Sequence, residues 1–119
     1  MAIDYNPDSA KAADILNKYT TLDVEFYNGD SREVLEWFEE IAQFDFAWVD
    51  ANHNYEYALS DLKHCARLGI PYIGVDDTNM SSVKLAFNGF LLLHKEYSEI
   101  ANPFIGLDSR QARLLKRNV

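Results

Sequence analysis

Glycine is scarce in this chain, and where it occurs it builds no phosphate loop. The five glycines, Gly29, Gly69, Gly74, Gly89 and Gly106, stand too far apart to make a G-x-G-x-x-G turn or a G-x-x-x-x-G-K loop. Cysteine is rarer still. The single Cys65 excludes an internal disulfide and suits a reducing compartment, and the sequence carries no Cys/His metal-cluster pattern. Its neighbours place it on the apolar face of a helix, where an inert buried thiol is expected. No apolar run approaches the roughly 20 residues that span a bilayer. The opening Met-Ala-Ile-Asp-Tyr-Asn has neither the basic leader nor the apolar stretch of a signal peptide, so a cytoplasmic location off the membrane is expected. Bases are also short: 11 Lys and Arg against 19 Asp and Glu leave a formal net charge of −8. An acidic body repels phosphate backbones, so nucleic acid is not an expected partner. Four of the bases (Arg110, Arg113, Lys116, Arg117) gather in one acid-free stretch, which reads most simply as a solvated terminal strand.

What remains is ordinary globular composition. Hydrophobic residues make up 48% and charged residues 25% of 119, enough for one domain with a real core. The periodicities alternate. Ala2–Tyr5 reads as a short strand. Asn6-Pro7 reads as the cap and first position of a helix running to about Tyr19, with Ala12, Ile15, Leu16 and Tyr19 on one face. Leu22–Tyr27 alternates as a strand, Asn28-Gly29 turns, and Asp30 with Glu33 makes a capping pattern for a second helix burying Val34, Leu35, Phe38 and Ile41. Phe44–Val49 is a nearly continuous apolar run, as in a strand covered on both faces. Tyr55, Leu59, Leu62 and Ala66 repeat at helical spacing until Gly69. Pro71–Val75 is another buried-type strand. Ser81 or Ser82 can cap a helix reaching about Tyr97. Phe104–Leu107 and Ala112–Lys116 then read as two strands joined by Asp108-Ser109. This order predicts an α/β domain: a mostly parallel sheet with helices on both faces and a C-terminal antiparallel strand pair.

The acids fall in a telling place. Asp4, Asp30, Asp50 and the Asp76-Asp77 pair each sit where an expected strand gives way to a loop. In an open parallel sheet those ends share one edge, which is where ligands bind. Carboxylates there can accept from ribose hydroxyls, ligate a divalent cation or orient a cationic group. Each also has a plainer use, because Asp is a favoured turn and cap residue. Asp76 and Asp77 repel each other unless a cation or proton sits beside them. His53 follows Asp50 in the same loop. Histidine is the side chain best suited to exchange a proton near neutrality, so His53 is a candidate general base; a loop histidine bonded to backbone is the plainer reading. His64 and His94, on helices beside lysines, are expected to face solvent. Trp37 and Trp48 fit packing.

Four stretches occur in order at familiar intervals: Ala-Ile-Asp-Tyr-Asn-Pro-Asp (2–8), Tyr-Asn-Gly-Asp-Ser (27–31), Phe-Asp-Phe-Ala-Trp-Val-Asp-Ala-Asn-His (44–53) and Tyr-Ile-Gly-Val-Asp-Asp-Thr (72–78). Together they resemble class I S-adenosylmethionine-dependent methyltransferases of the Rossmann-like fold. The nearest branch resembles the catechol and caffeoyl-CoA O-methyltransferases and their cephalosporin-hydroxylase-like relatives. The resemblance implies a role for each acid. Asp4, with Tyr5 beside it, would bind the cofactor ribose; Asp30 and Ser31 would lie beside the adenine. Asp50 would ligate Mg²⁺ or a similar ion, with Asp76 and Asp77 completing the metal site. His53 stands where catechol-type members carry a lysine base, so Asp50 and His53 are the catalytic candidates. The implied reaction is O-methyl transfer to a small-molecule substrate.

In that family a strand, a glycine-rich turn and a helix precede the segment matching Asp4. The expectation is therefore a single, partial methyltransferase-like domain over residues 1–119, without its first βα unit. The alternative, from a different class, is a non-catalytic remnant serving as a dimerisation or protein-binding module. A homodimer or partner chain would then cover the vacated strand position, since an unpaired strand edge invites pairing.

Overall fold

The computed structural model describes residues 1–38, 44–50, 52–102 and 111–118. They form a mixed α/β chain with two sheets and four helices, divided into two units, Met1–Trp37 and Phe38–Val119. Among the described residues no helix is long and apolar enough to cross a membrane.

The first unit is a β-α-β-α stretch: β1 (Ala2–Asp4), α1 (Ser9–Tyr19), β2 (Phe26–Asn28) and α2 (Ser31–Glu36). β1 and β2 run parallel, with Ile3 opposite Tyr27 and Asp4 opposite Asn28. α1 begins two residues later than the Asn6-Pro7 pattern predicts, with Asp8 at its cap position. Ile15, Leu16 and Tyr19 are exposed, and Ala13 is the buried residue of this helix. β2 is shorter than the expected Leu22–Tyr27. The reason is local: the Asn17 amide donates to the Val24 carbonyl (2.9 Å) and accepts from the Val24 N–H (2.6 Å). Residue 24 is thereby tied to α1 rather than to a neighbouring strand. α2 starts as expected, because the Asp30 carboxylate accepts from the Arg32 N–H at 2.9 Å. Val34 and Leu35 are buried and Phe38 is half-buried, while Ile41 lies outside the described residues.

The second unit holds β3 (Phe46–Val49), α3 (Tyr55–Arg67), β4 (Tyr72–Val75), α4 (Ser81–Leu93), β5 (Tyr97–Ile100) and β6 (Arg113–Arg117). Its sheet has the order β3-β4-β6-β5. β3 and β4 are parallel, whereas β6 lies between β4 and β5 and is antiparallel to both. The sheet is thus only partly parallel, not mostly so. The reason is that β6 inserts between β4 and β5 instead of pairing with one final strand alone, and the end of α4 also departs from expectation. That helix stops at Leu93 rather than continuing to Tyr97, because His94 leaves helical geometry and stacks on Phe90 at 4.5 Å. Tyr97 can then bury its ring and donate its hydroxyl to the Ile70 carbonyl at 2.6 Å, opening a strand the helical periodicity had masked. Burial pushes the Tyr97 hydroxyl up to about 12. The chain does end on an antiparallel pair, made by β5 and β6. The expected Phe104–Leu107 strand and its Asp108-Ser109 turn lie outside the described residues.

The core of this unit is Leu62, Ile73, Val75, Phe87, Phe90 and Leu115, all fully buried. They join one sheet face to α3 and α4, which pack against each other. Cys65 is among the buried residues, and desolvation raises its thiol to about 12, as expected of an inert core thiol. α3 starts at Asn54, whose side chain accepts from the Glu56 N–H, and stops at Gly69, whose φ of 68° is open to glycine at little cost. The other sheet face differs from expectation. Phe46 and Trp48 are about half exposed (52% and 49%), so β3 is covered on one face only. Trp48 lies across Gly74 of the paired strand: a Cβ there would stand 2.3 Å from the indole.

Candidate active site

Parallel pairing of β3 with β4 brings their carboxyl ends to one edge. The ladder continues one step beyond the strands, where the Asp76 N–H donates to the Val49 carbonyl at 3.0 Å. Asp50 and the Asp76-Asp77 pair are therefore neighbours in space. His53 enters from the loop after β3. Its Nε2 lies 3.0 Å from Asp77 Oδ2 and 3.8 Å from Asp50 Oδ1. One donor atom each from Asp50, His53 and Asp77 falls within 4.8 Å of the others. The His53 Nε2 atom is itself shielded from solvent, yet it has hydrogen-bond geometry to neither carboxylate.

The two members of the acid pair point differently. Asp77 adopts a left-handed backbone (φ 54°), a conformation that Asp tolerates better than most residues, and its carboxylate joins the trio. Asp76 instead accepts from the Asp77 N–H at 2.8 Å and stands outside the trio. Burial, then the charges of Asp76 and Asp77, raise the Asp50 carboxyl above the ordinary carboxylate value, opposed by His53. An acid cluster held this way costs free energy that a bound cation would offset.

Two hydroxyls that the sequence pattern did not single out for this role tie the edge together. Ser82, in the first turn of α4, donates to the His53 carbonyl at 2.5 Å. It does not cap its own helix, whose cap position is Met80. Thr78 is buried, and both its N–H and its hydroxyl donate to the Gln111 carbonyl, fixing the loop that carries Asp77 to the start of β6. No local signal reveals the Ser82 bond, because its partner lies 29 residues away in sequence.

The expected cofactor residues belong to the first unit. Asp4 and Asn28 end paired parallel strands, and the Asn28 amide donates to the carbonyls of Asp4 (3.2 Å) and Tyr5 (3.1 Å). Asp4 accepts from the Ser9 hydroxyl (2.6 Å) and the Asn6 N–H (2.9 Å). The Ser9 bond leads in holding its carboxyl below the ordinary value. A carboxylate has about four acceptor positions, so capacity remains for a further hydroxyl. Tyr5 is strongly exposed. Asp30 is more committed: Arg32 donates to it from the backbone and through Nε and Nη2, and that contact lowers its carboxyl. Ser31 follows as the first residue of α2. Elsewhere, a groove of about 470 Å³ runs along α3 beside Tyr55, Leu59, Lys63 and Arg67, with none of the trio in its wall. His94, expected to face solvent, is half-buried against Phe90.

Residues 1–71 match the family described as "Methyltransferase domain". The match covers more than half of the chain and contains Asp4, Tyr5, Asp30, Ser31, Asp50 and His53. Asp77 lies beyond it, and only the fold brings that residue to the trio. A comparison with curated proteins finds no match.

Proposed function

Because the chain belongs to the methyltransferase domain family, we propose that it is an S-adenosylmethionine-dependent methyltransferase domain that transfers a methyl group to a small-molecule hydroxyl with help from a divalent cation. We read the chain as Rossmann-like, with the acids that follow its strands serving the cofactor and the acceptor. The observation that carries the metal-assisted reading is the convergence of Asp50, His53 and Asp77 at the carboxyl edge of β3 and β4.

Asp4 is the residue with spare acceptor capacity for the cofactor's ribose hydroxyls, its orientation held by Ser9 and Asn6. Tyr5, Asp30 and Ser31 would line the nucleoside around it. S-adenosylmethionine supplies an electrophilic methyl on a sulfonium, so the protein's task is in-line positioning and release of the acceptor's proton. Two carboxylates and an imidazole are a donor set suited to a divalent ion. The orphaned His53 Nε2, shielded between two carboxylates, fits a ligand better than a surface histidine. A cation there supplies charge that favours the deprotonated acceptor oxygen. Asp50, His53 and Asp77 would hold it, and Asp76 would act from outside, through the Asp77 N–H that its carboxylate receives.

Calorimetric titration with S-adenosylmethionine, with and without Mn²⁺ or Mg²⁺, tests the reading directly. Binding is expected, and tighter with the metal present. An absence of heat under both conditions would sink it. Binding that ignores the metal would leave the family activity and remove the metal from it.

A further inference from the structure

His53 sits in the short connection between β3 and α3, and its Nε2 lies 3.0 Å from an Asp77 carboxylate oxygen without hydrogen-bond geometry to it. How near the ring stands to the two carboxylates therefore depends on where the backbone of residue 53 is held. The neighbouring backbone is organised by a local turn, in which Asn52 Oδ1 accepts from the Asn54 N–H at 2.8 Å, and by the Asn54 cap of α3. The carbonyl of His53 itself accepts from Ser82, at 2.5 Å. Ser82 stands on a rigid support. The face of α4 behind it buries Val83, Ala86, Phe87 and Phe90, and α4 packs along α3. The stretch just before it holds Asp77 in its left-handed conformation and locks Thr78 to the Gln111 carbonyl. Residues 77–82 thus present one carboxylate of the trio and also grip the loop bearing the imidazole.

We propose that Ser82 is the positioning residue of this site: by holding the His53 carbonyl, its hydroxyl fixes the imidazole between Asp50 and Asp77. The proposal rests on the metal-assisted reading above, and it assigns to α4 a part in the site that the strand-end acids alone do not reveal. Groups that orient a ligand are typically worth about 10–100-fold in metal affinity. A mere staple between helix and loop would instead act on stability and leave the ring where it is.

The full chain is compared as wild type, Ser82→Ala, Ser82→Cys, Ser82→Thr and Asp77→Asn. Three readouts are taken: Mn²⁺ affinity, thermal midpoint, and the His53 ring-proton signal at one fixed pH without metal, assigned with His53→Gln. Ser82→Ala and Ser82→Cys are expected to weaken Mn²⁺ about tenfold. Ser82→Thr, which keeps the hydroxyl, should restore most of it. The metal-free His53 signal should move in Ser82→Ala towards its position in Asp77→Asn, because both lose the same contact. The proposal is overturned if Ser82→Ala and Ser82→Cys bind Mn²⁺ like the wild type, or if Ser82→Thr fails as they do. Should the wild type bind no Mn²⁺, the metal reading falls. The ring signal then decides: a shared shift in Ser82→Ala and Asp77→Asn sustains the positioning role, and an unmoved signal ends it. If Ser82→Ala does not fold, the near-isosteric Ser82→Cys carries the same comparison.

Discussion

Arg113 gathers three partner residues on the helix-facing side of the sheet. It donates from Nε and Nη2 to the two carboxylate oxygens of Glu99, each at 2.7 Å. Its guanidinium lies 4.0 Å from the Phe87 ring centre, and Nη1 reaches Asn88 Oδ1 at 3.4 Å. The Arg113 bonds hold the Glu99 carboxyl below the ordinary glutamate value. A depressed folded value means stability that is present above the unfolded value and is lost as the pH falls through the folded one. Glu99 is 40% exposed, so solvent screening limits the pair to about 0.5–1 kcal/mol. Glu99→Gln should therefore lower stability by that amount at neutral pH, and denaturation curves at decreasing pH should show the gap to wild type closing. A gap that stayed constant into acid would mean the carboxylate charge contributes nothing. Single residues also mark the limit of what the sequence discloses about the site. Asp50, His53 and Asp77 were legible as candidates, since an acid or histidine just after a strand is a local pattern. That Asp76 turns to the Asp77 amide while Asp77 faces His53 was not, because it depends on one left-handed backbone angle. The Ser82 bond was less legible still, as it joins the first turn of α4 to the loop after β3, which only the α3–α4 packing brings together.

Elements show the same division. Helix α2 began where its capping residue Asp30 puts it, because a cap is a contact between near neighbours, and α3 began at Tyr55, where the helical spacing starts. The end of α4 and the existence of β5 escaped the pattern, because a buried Tyr97 hydroxyl bonded to Ile70 overrides helical periodicity from a distance. β3 read as buried on both faces because its outward residues are aromatic. In the fold Phe46 and Trp48 stack on each other, 6.3 Å between ring centres, and Trp48 lies across Gly74. Glycine in a strand interior ordinarily weakens it, and here the missing Cβ is what admits the indole. Gly74→Ala should destabilise the protein by about 1–3 kcal/mol through overpacking. In a Trp48→Ala background the same change should cost almost nothing. A double-mutant cycle measures this, and equal costs in the two backgrounds would show that the indole does not lie on residue 74 in solution.

At the scale of the whole molecule, an acidic chain with an acidic site poses a question of attribution. A net charge of −8 makes the folded state sensitive to any salt, since counterions screen its self-repulsion. A rise in melting temperature with a divalent metal would by itself say little about a site. The trio allows the two effects to be separated. Burial, and then Asp76 and Asp77, raise the Asp50 carboxyl, so its charged form costs the metal-free protein stability above the ordinary carboxylate range. Without metal, Asp50→Asn should melt above the wild type. With Mn²⁺ at about 100 times its dissociation constant, the wild type should gain roughly 2.7 kcal/mol, which in a chain of this size raises the midpoint by on the order of 10 °C. Asp50→Asn should gain no more than NaCl at matched ionic strength provides. The order of the two melting temperatures then inverts on adding Mn²⁺ and not on adding NaCl. Parallel shifts of both proteins in both salts would assign the whole effect to screening and leave the Asp50–His53–Asp77 cluster without a metal.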